Sequence, residues 1–148
     1  MTSQPPDLQT VLRLQRTYPV PRDRVFRAWT DPEALERWFR PFGMPISVAR
    51  LDLQAGGRYQ FNIHEPTGKI STISGQYVEI MQPEKLVYTW VSEATDSRET
   101  LVTMLFAEHD HKTELTLIHE RFARVDFVRP HQEGWTSMLN SLETVFSN

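Results

Sequence analysis

The chain has 148 residues, 16 basic against 19 acidic side chains, a formal charge of -3 and no cysteine. Lack of cysteine excludes a disulfide framework, thiolate zinc sites, iron–sulfur clusters and a cysteine nucleophile. The acidic balance excludes the basic footprint of a nucleic-acid-binding domain, and no apolar run approaches the ~20 residues of a membrane span. Residues 1–148 read as a single domain with a loose N-terminal tail at 1–7. The polar, proline-bearing opening resembles neither a signal nor a transit segment, so the expected location is the cytoplasm. The 8 Phe, 4 Tyr and 4 Trp are the feature to follow.

Leu8 to Tyr18 reads as a strand, stopped by Pro19-Val20-Pro21. Pro21 opens a short helix to about Trp29, with Val25, Phe26 and Trp29 on one face. Thr30 and Glu33 have capping-box spacing for a second short helix, whose buried stripe is Leu35, Trp38 and Phe39. Arg40-Pro41 ends it. From Ile46 to Glu120 the period is mostly two, which predicts six further strands joined by short loops. Tyr59, Phe61 and Ile63 alternate with Arg58, Gln60, Asn62 and His64. A strand from about Ile70 to Ile80 follows, then Leu86, Tyr88 and Trp90, then Val102, Met104 and Phe106, and finally Leu115, Leu117 and His119. The longest helix runs from about Pro130 to Phe146, where Trp135, Met138, Leu139, Leu142, Val145 and Phe146 form one apolar stripe. The predicted fold is α+β: a curved seven-strand antiparallel sheet wrapped around a long C-terminal helix, with two short helices between the first two strands.

The segment from Tyr18 to Phe39 resembles the opening of the SRPBCC, or START-like, helix-grip superfamily. Further matches are Ala55-Gly-Gly-Arg-Tyr-Gln-Phe61, Gly75 to Ile80, Pro83 to Trp90, Thr113 to Glu120, and Gly134-Trp135. More narrowly the chain resembles the bacterial branch related to the C-terminal domain of the activator of the 90-kDa heat-shock protein ATPase. The resemblance covers roughly Leu8 to Phe146. It implies binding of a small hydrophobic or amphipathic ligand between sheet and terminal helix. Within that superfamily, cyclase-, dehydratase- or hydrolase-like enzymes and co-chaperone interaction modules are the alternatives. A chaperone or a second copy of the chain is the macromolecular partner the resemblance allows, and no cofactor is implied.

Trp38, Phe42, Tyr59, Phe61, Tyr77, Tyr88, Trp90, Met104, Trp135 and Met138 converge on the space between sheet and helix. Two readings stand for them: they line a ligand cavity, or they fill the core. Tyr77 and Glu79 face either way, because a bulge would change their parity. His119 continues an inward face and is the candidate acid or base; the opposing reading is a core histidine bonded to a neighbour. An enzyme needs a second inward group, for which Glu79 is the sequence's suggestion. His109-Asp110-His111 reads as an exposed hairpin tip and not as a metal site, since no third ligand stands at a definable spacing. His64 reads as outward and His131 lies near a helix start, neither with an evident partner. Arg58, Arg98 and Arg121 read as solvated strand positions, the alternative being that one points inward and pairs with a carboxylate ligand.

Overall fold

The computed structural model describes residues 10–146, so the tail expected at 1–7 lies outside them. The strands are β1 (Val11–Tyr18), β2 (Ile46–Leu51), β3 (Arg58–His64), β4 (Ile70–Met81), β5 (Lys85–Trp90), β6 (Thr100–His109) and β7 (Lys112–Glu120). The helices are α1 (Arg22–Thr30), α2 (Pro32–Trp38) and α3 (Val128–Val145), with single 3-10 turns at Pro41–Gly43, Glu93–Thr95 and Val125–Phe127. One antiparallel sheet carries all seven strands in the order β1-β7-β6-β5-β4-β3-β2. Hairpins join β2 through β7 in sequence. The first two strands occupy opposite edges, and α1 and α2 bridge them.

Alternation decides which face each strand buries. Tyr59, Phe61 and Ile63 of β3 are buried, and so are Val102, Met104 and Phe106 of β6. On α3 the buried stripe is Trp135, Met138, Leu139 and Leu142. Phe146 is buried as expected, but Val145 is 42% exposed. Ten residues beyond Trp135, Val145 is rotated about 80° from it at 100° per residue, past every buried residue of the stripe, so it falls on the solvent edge. Tyr18 ties β1 to this helix by donating its hydroxyl to the Leu139 carbonyl at 2.9 Å.

Local chemistry sets several boundaries. Asp31, not Thr30, caps α2: its carboxylate accepts from the Glu33 amide at 3.3 Å, whereas Thr30 turns back to the Phe26 carbonyl. The expected Thr30–Glu33 box does not form: Pro32 occupies the first helical position, which makes Asp31 the cap and Glu33 the second helical residue. Asp110 and His111 both have positive φ, forming the two-residue turn between His109 and Lys112. His109 and His111 are thus exposed at a hairpin tip.

A bulge in β4 answers the parity question. Tyr77 pairs with Tyr88, but Glu79 pairs with Val87, so Val78 is the extra residue and is 52% exposed. Tyr77 remains buried, while Ile80, and not Glu79, packs back against the core. Glu79 makes an ion pair with Lys85 at 3.2 Å, with both side chains partly solvated. The bulge keeps a carboxylate out of the interior.

Candidate functional site

The interior between sheet and α3 has two unlike halves. In one, Tyr59, Phe61, Tyr77 and Tyr88 meet Trp29 and Phe39 around a void of about 10 Å³, room for no more than one water. Their rings pack edge to face or tilted, with Tyr59 and Tyr88 centroids 5.4 Å apart. Gly75 belongs to this packing, since a Cβ there would lie 2.8 Å from the Tyr59 ring and 2.0 Å from the Thr89 carbonyl oxygen. The Tyr88 hydroxyl reaches the Met104 sulfur at 3.7 Å. Trp38 donates its indole N–H to the Ala28 carbonyl at 2.8 Å and braces the two short helices. Burial raises the Tyr59 and Tyr88 pKa values well above the usual phenol value, and the neighbouring tyrosines add to the shift. These side chains form a closed core.

The other half is open. A cavity of about 440 Å³ lies between the N-terminal half of α3, the 3-10 turn at Pro41–Gly43 and the ends of β3, β4 and β5. Trp90, Trp135, Met138 and Ile73 supply its apolar wall, and Met44 and Ile63 extend it. Phe42 lines the space yet is 61% exposed, because Phe42 adopts φ 52° and ψ 34° and its ring reaches over Gly134. A Cβ on Gly134 would stand 3.4 Å from that ring, so the glycine gives the aromatic its seat. Polar groups are few: Glu65, Ser71 and Thr72 on the β3–β4 side, Ser92 and Glu93 after β5, and His131 on α3. Lys69 pairs with Glu93 at 2.9 Å.

Of the residues expected to line a cavity, then, Phe42, Trp90, Trp135 and Met138 do so. Trp38, Tyr59, Phe61, Tyr77, Tyr88 and Met104 lie outside its wall. The aromatic set divides: part of it borders open space and part of it fills closed core. The lining at Ile63 was legible as the continuation of the Tyr59–Phe61 alternation. His131 gave no comparable signal, since a histidine in a first helical turn reads as solvated.

His119 is completely buried behind this wall. Its Nδ1 accepts from the Trp135 indole N–H at 3.0 Å, and its Nε2 lies 2.7 Å from Thr100 Oγ1. An Nδ1 that accepts places the proton on Nε2, which donates to Thr100. Thr100 in turn donates to the Trp90 carbonyl at 2.7 Å. The relay satisfies both ring nitrogens of a neutral imidazole. Desolvation, then the proximity of His131, drives its pKa well below the usual histidine value. His119 orients Trp135 and Thr100. It presents no free nitrogen to the cavity.

His131 is arranged differently. It is 8% exposed, and its Nδ1 donates to the Phe127 carbonyl at 2.8 Å. Its ring packs on Phe122 at 4.7 Å and crosses His119 at 5.2 Å and 85°. Burial lowers its pKa, opposed by the Phe127 hydrogen bond. With Nδ1 protonated, the neutral ring keeps an acceptor lone pair on Nε2, at a residue of the cavity wall. His64, by contrast, is exposed and meets Ser47 Oγ at 2.9 Å.

An open seven-strand antiparallel sheet, two short helices after the first strand and one long terminal helix across the buried face define a helix-grip α+β domain. The model of the activator of Hsp90 ATPase homolog 1-like family matches residues 19–147, and the chain belongs to that family. A solved structure from Chromobacterium violaceum is similar at 26% identity and TM-score 0.83, covering 94% of this chain and 98% of its own. An AHSA1 protein from Silicibacter pomeroyi is similar at 26% identity and TM-score 0.77, covering 90% and 95%. A protein from Arthrobacter aurescens shares the fold at 18% identity and TM-score 0.84, covering 97% and 90%. No curated protein sequence matches the chain. Among the described residues no helix is long and apolar enough to cross a membrane.

Proposed function

We propose that the protein binds a small hydrophobic or amphipathic molecule in the cavity between α3 and the ends of β3, β4 and β5. One observation carries this reading: a cavity of about 440 Å³ with a mainly apolar wall sits beside a half of the same interior that is packed almost without voids. That volume lies within the range of roughly 300–1,000 Å³ occupied by small-molecule sites. The apolar wall supplies affinity by removing ligand surface from water, and the sparse polar groups fix orientation. Binding is favoured over catalysis by the geometry at His119 and Glu79. Both nitrogens of His119 are engaged inside the wall, and Glu79 lies on the other face of β4 in an ion pair.

The test is uptake of the neutral fluorophore N-phenylnaphthylamine by the native protein, with Gly134→Leu as the blocking variant. A leucine at Gly134 projects toward Phe42 and fills the space. Saturable one-site uptake that disappears in Gly134→Leu, with the circular dichroism and cooperative unfolding of the wild type retained, is the expected result. Uptake that is absent, or indifferent to Gly134→Leu, overturns the proposal.

A further inference from the structure

We infer that the ligand's polar end is a hydrogen-bond donor, and preferentially an ammonium group, carried on an apolar body. This rests on the cavity being a ligand site, and it is drawn from the polarity of the few groups around it. His131 Nε2 has no hydrogen-bond partner among the described residues, although the residue is buried and lines the space. With Nδ1 committed as donor to Phe127, Nε2 is an acceptor only. The two ionisable groups at the other end of the lining, Glu65 and Glu93, also accept only. Ser71, Thr72 and Ser92 serve either role. Among the described residues no Lys or Arg lines the cavity.

The opposing contributions are small or already committed. Lys69 lies beside the rim, pairs with Glu93 and also feels Glu65, so one cation faces two carboxylates and one negative charge is left in excess. Arg129 is exposed and pairs with Glu133 at 3.3 Å. The first turn of α3 would favour an anion through its unbonded amides, but Pro130 removes one of them. Trp90 Nε1 has no hydrogen-bond partner among the described residues, yet the atom is shielded within the wall and offers no donor to the space. A carboxylate ligand would therefore find acceptors and like charge, whereas an amine would find partners.

The experiment compares three probes that share one tail: decylammonium, decanol and decanoate, each titrated below its micelle concentration into the full chain at neutral pH and low salt. Decylammonium should bind at least about tenfold more tightly than decanoate, with decanol between them. Glu65→Gln with Glu93→Gln should erase most of the gap between decylammonium and decanol while leaving decanol affinity unchanged. His131→Phe should weaken decylammonium and decanol and spare decanoate. Decanoate binding as tightly as decylammonium, or three equal affinities, overturns this inference and leaves the cavity as a ligand site. Failure of all three probes to bind removes the ligand-site reading itself, and this inference with it.

Discussion

The indole N–H of Trp135 donates to Nδ1 of His119 across 3.0 Å and fastens the middle of α3 to the last strand of the sheet. Behind it the proton relay runs on through Thr100 to the Trp90 carbonyl, so two walls of the cavity share one buried network. Cutting it at one point strands a buried polar atom. Trp135→Phe leaves His119 Nδ1 without a donor and trims the core, which should cost about 3 kcal/mol in urea unfolding. In the double variant with His119→Leu both partners of the lost bond are gone, so the loss should fall short of the two single losses added together. Strictly additive losses would show that the bond carries no coupling.

The same relay sets a pH dependence. His119 and His131 both have lowered pKa values in the folded protein, by desolvation first in each case. His131 is the ionisable group that acts on His119, and Thr100, Trp135, Trp90 and Phe122 around it are uncharged. In the unfolded chain these histidines take up protons below about pH 6.5. The unfolded state then binds more protons than the folded one, so stability falls as pH drops below that value and is unaffected by them above it. Urea midpoints should be flat from about pH 8 to 7 and decline from about pH 6.5 to 5.5. Nitrogen-15 shifts of the His119 ring should report the Nε2–H tautomer throughout that decline. A native His119 that titrates near 6.5 would contradict the network.

Gly134 separates stability from binding. Alanine there removes the helix cost of glycine, about 0.5–1 kcal/mol, while its Cβ comes within 3.4 Å of the Phe42 ring. Phe42 is 61% exposed and free to yield. Gly134→Ala should therefore raise the melting temperature by about 2–4 °C and weaken probe uptake by narrowing the cavity. Lower stability in thermal melts would mean that Phe42 is held more rigidly than its exposure implies.

The two halves of the interior should respond differently to truncation. Leu86 is 1% exposed in the packed half, so Leu86→Ala should cost about 2–5 kcal/mol. Met138 already borders open space, and Met138→Ala should cost less than Leu86→Ala while admitting bulkier probes. Denaturation and a ligand-size series measure both. Equal stability losses with an unchanged size preference would place Met138 in ordinary core.

The strands and the terminal helix were written in the sequence because period two and period 3.6 are properties of neighbouring residues. Tyr59-Gln60-Phe61-Asn62-Ile63 buries alternate side chains, and Trp135, Met138, Leu139 and Leu142 share a helical face. Those patterns also brought the aromatics to one interior. Which of them would close on one another and which would border a space was not legible. That depends on the gap between α3 and each strand, a distance set by the whole sheet. Phe42 is the plainest case, since a left-handed backbone at the turn after α2 swings an apolar ring to the rim. The bulge at Val78 is another: it decided between Tyr77 and Glu79 through pairing with β5, a strand remote from any local pattern. His131 acquires its free acceptor only because the Phe127 carbonyl takes the proton on Nδ1. Cysteine's absence and the residue periodicities bounded the chemistry and the fold from the chain alone; the cavity, and the polarity of its lining, came from where distant residues finally met.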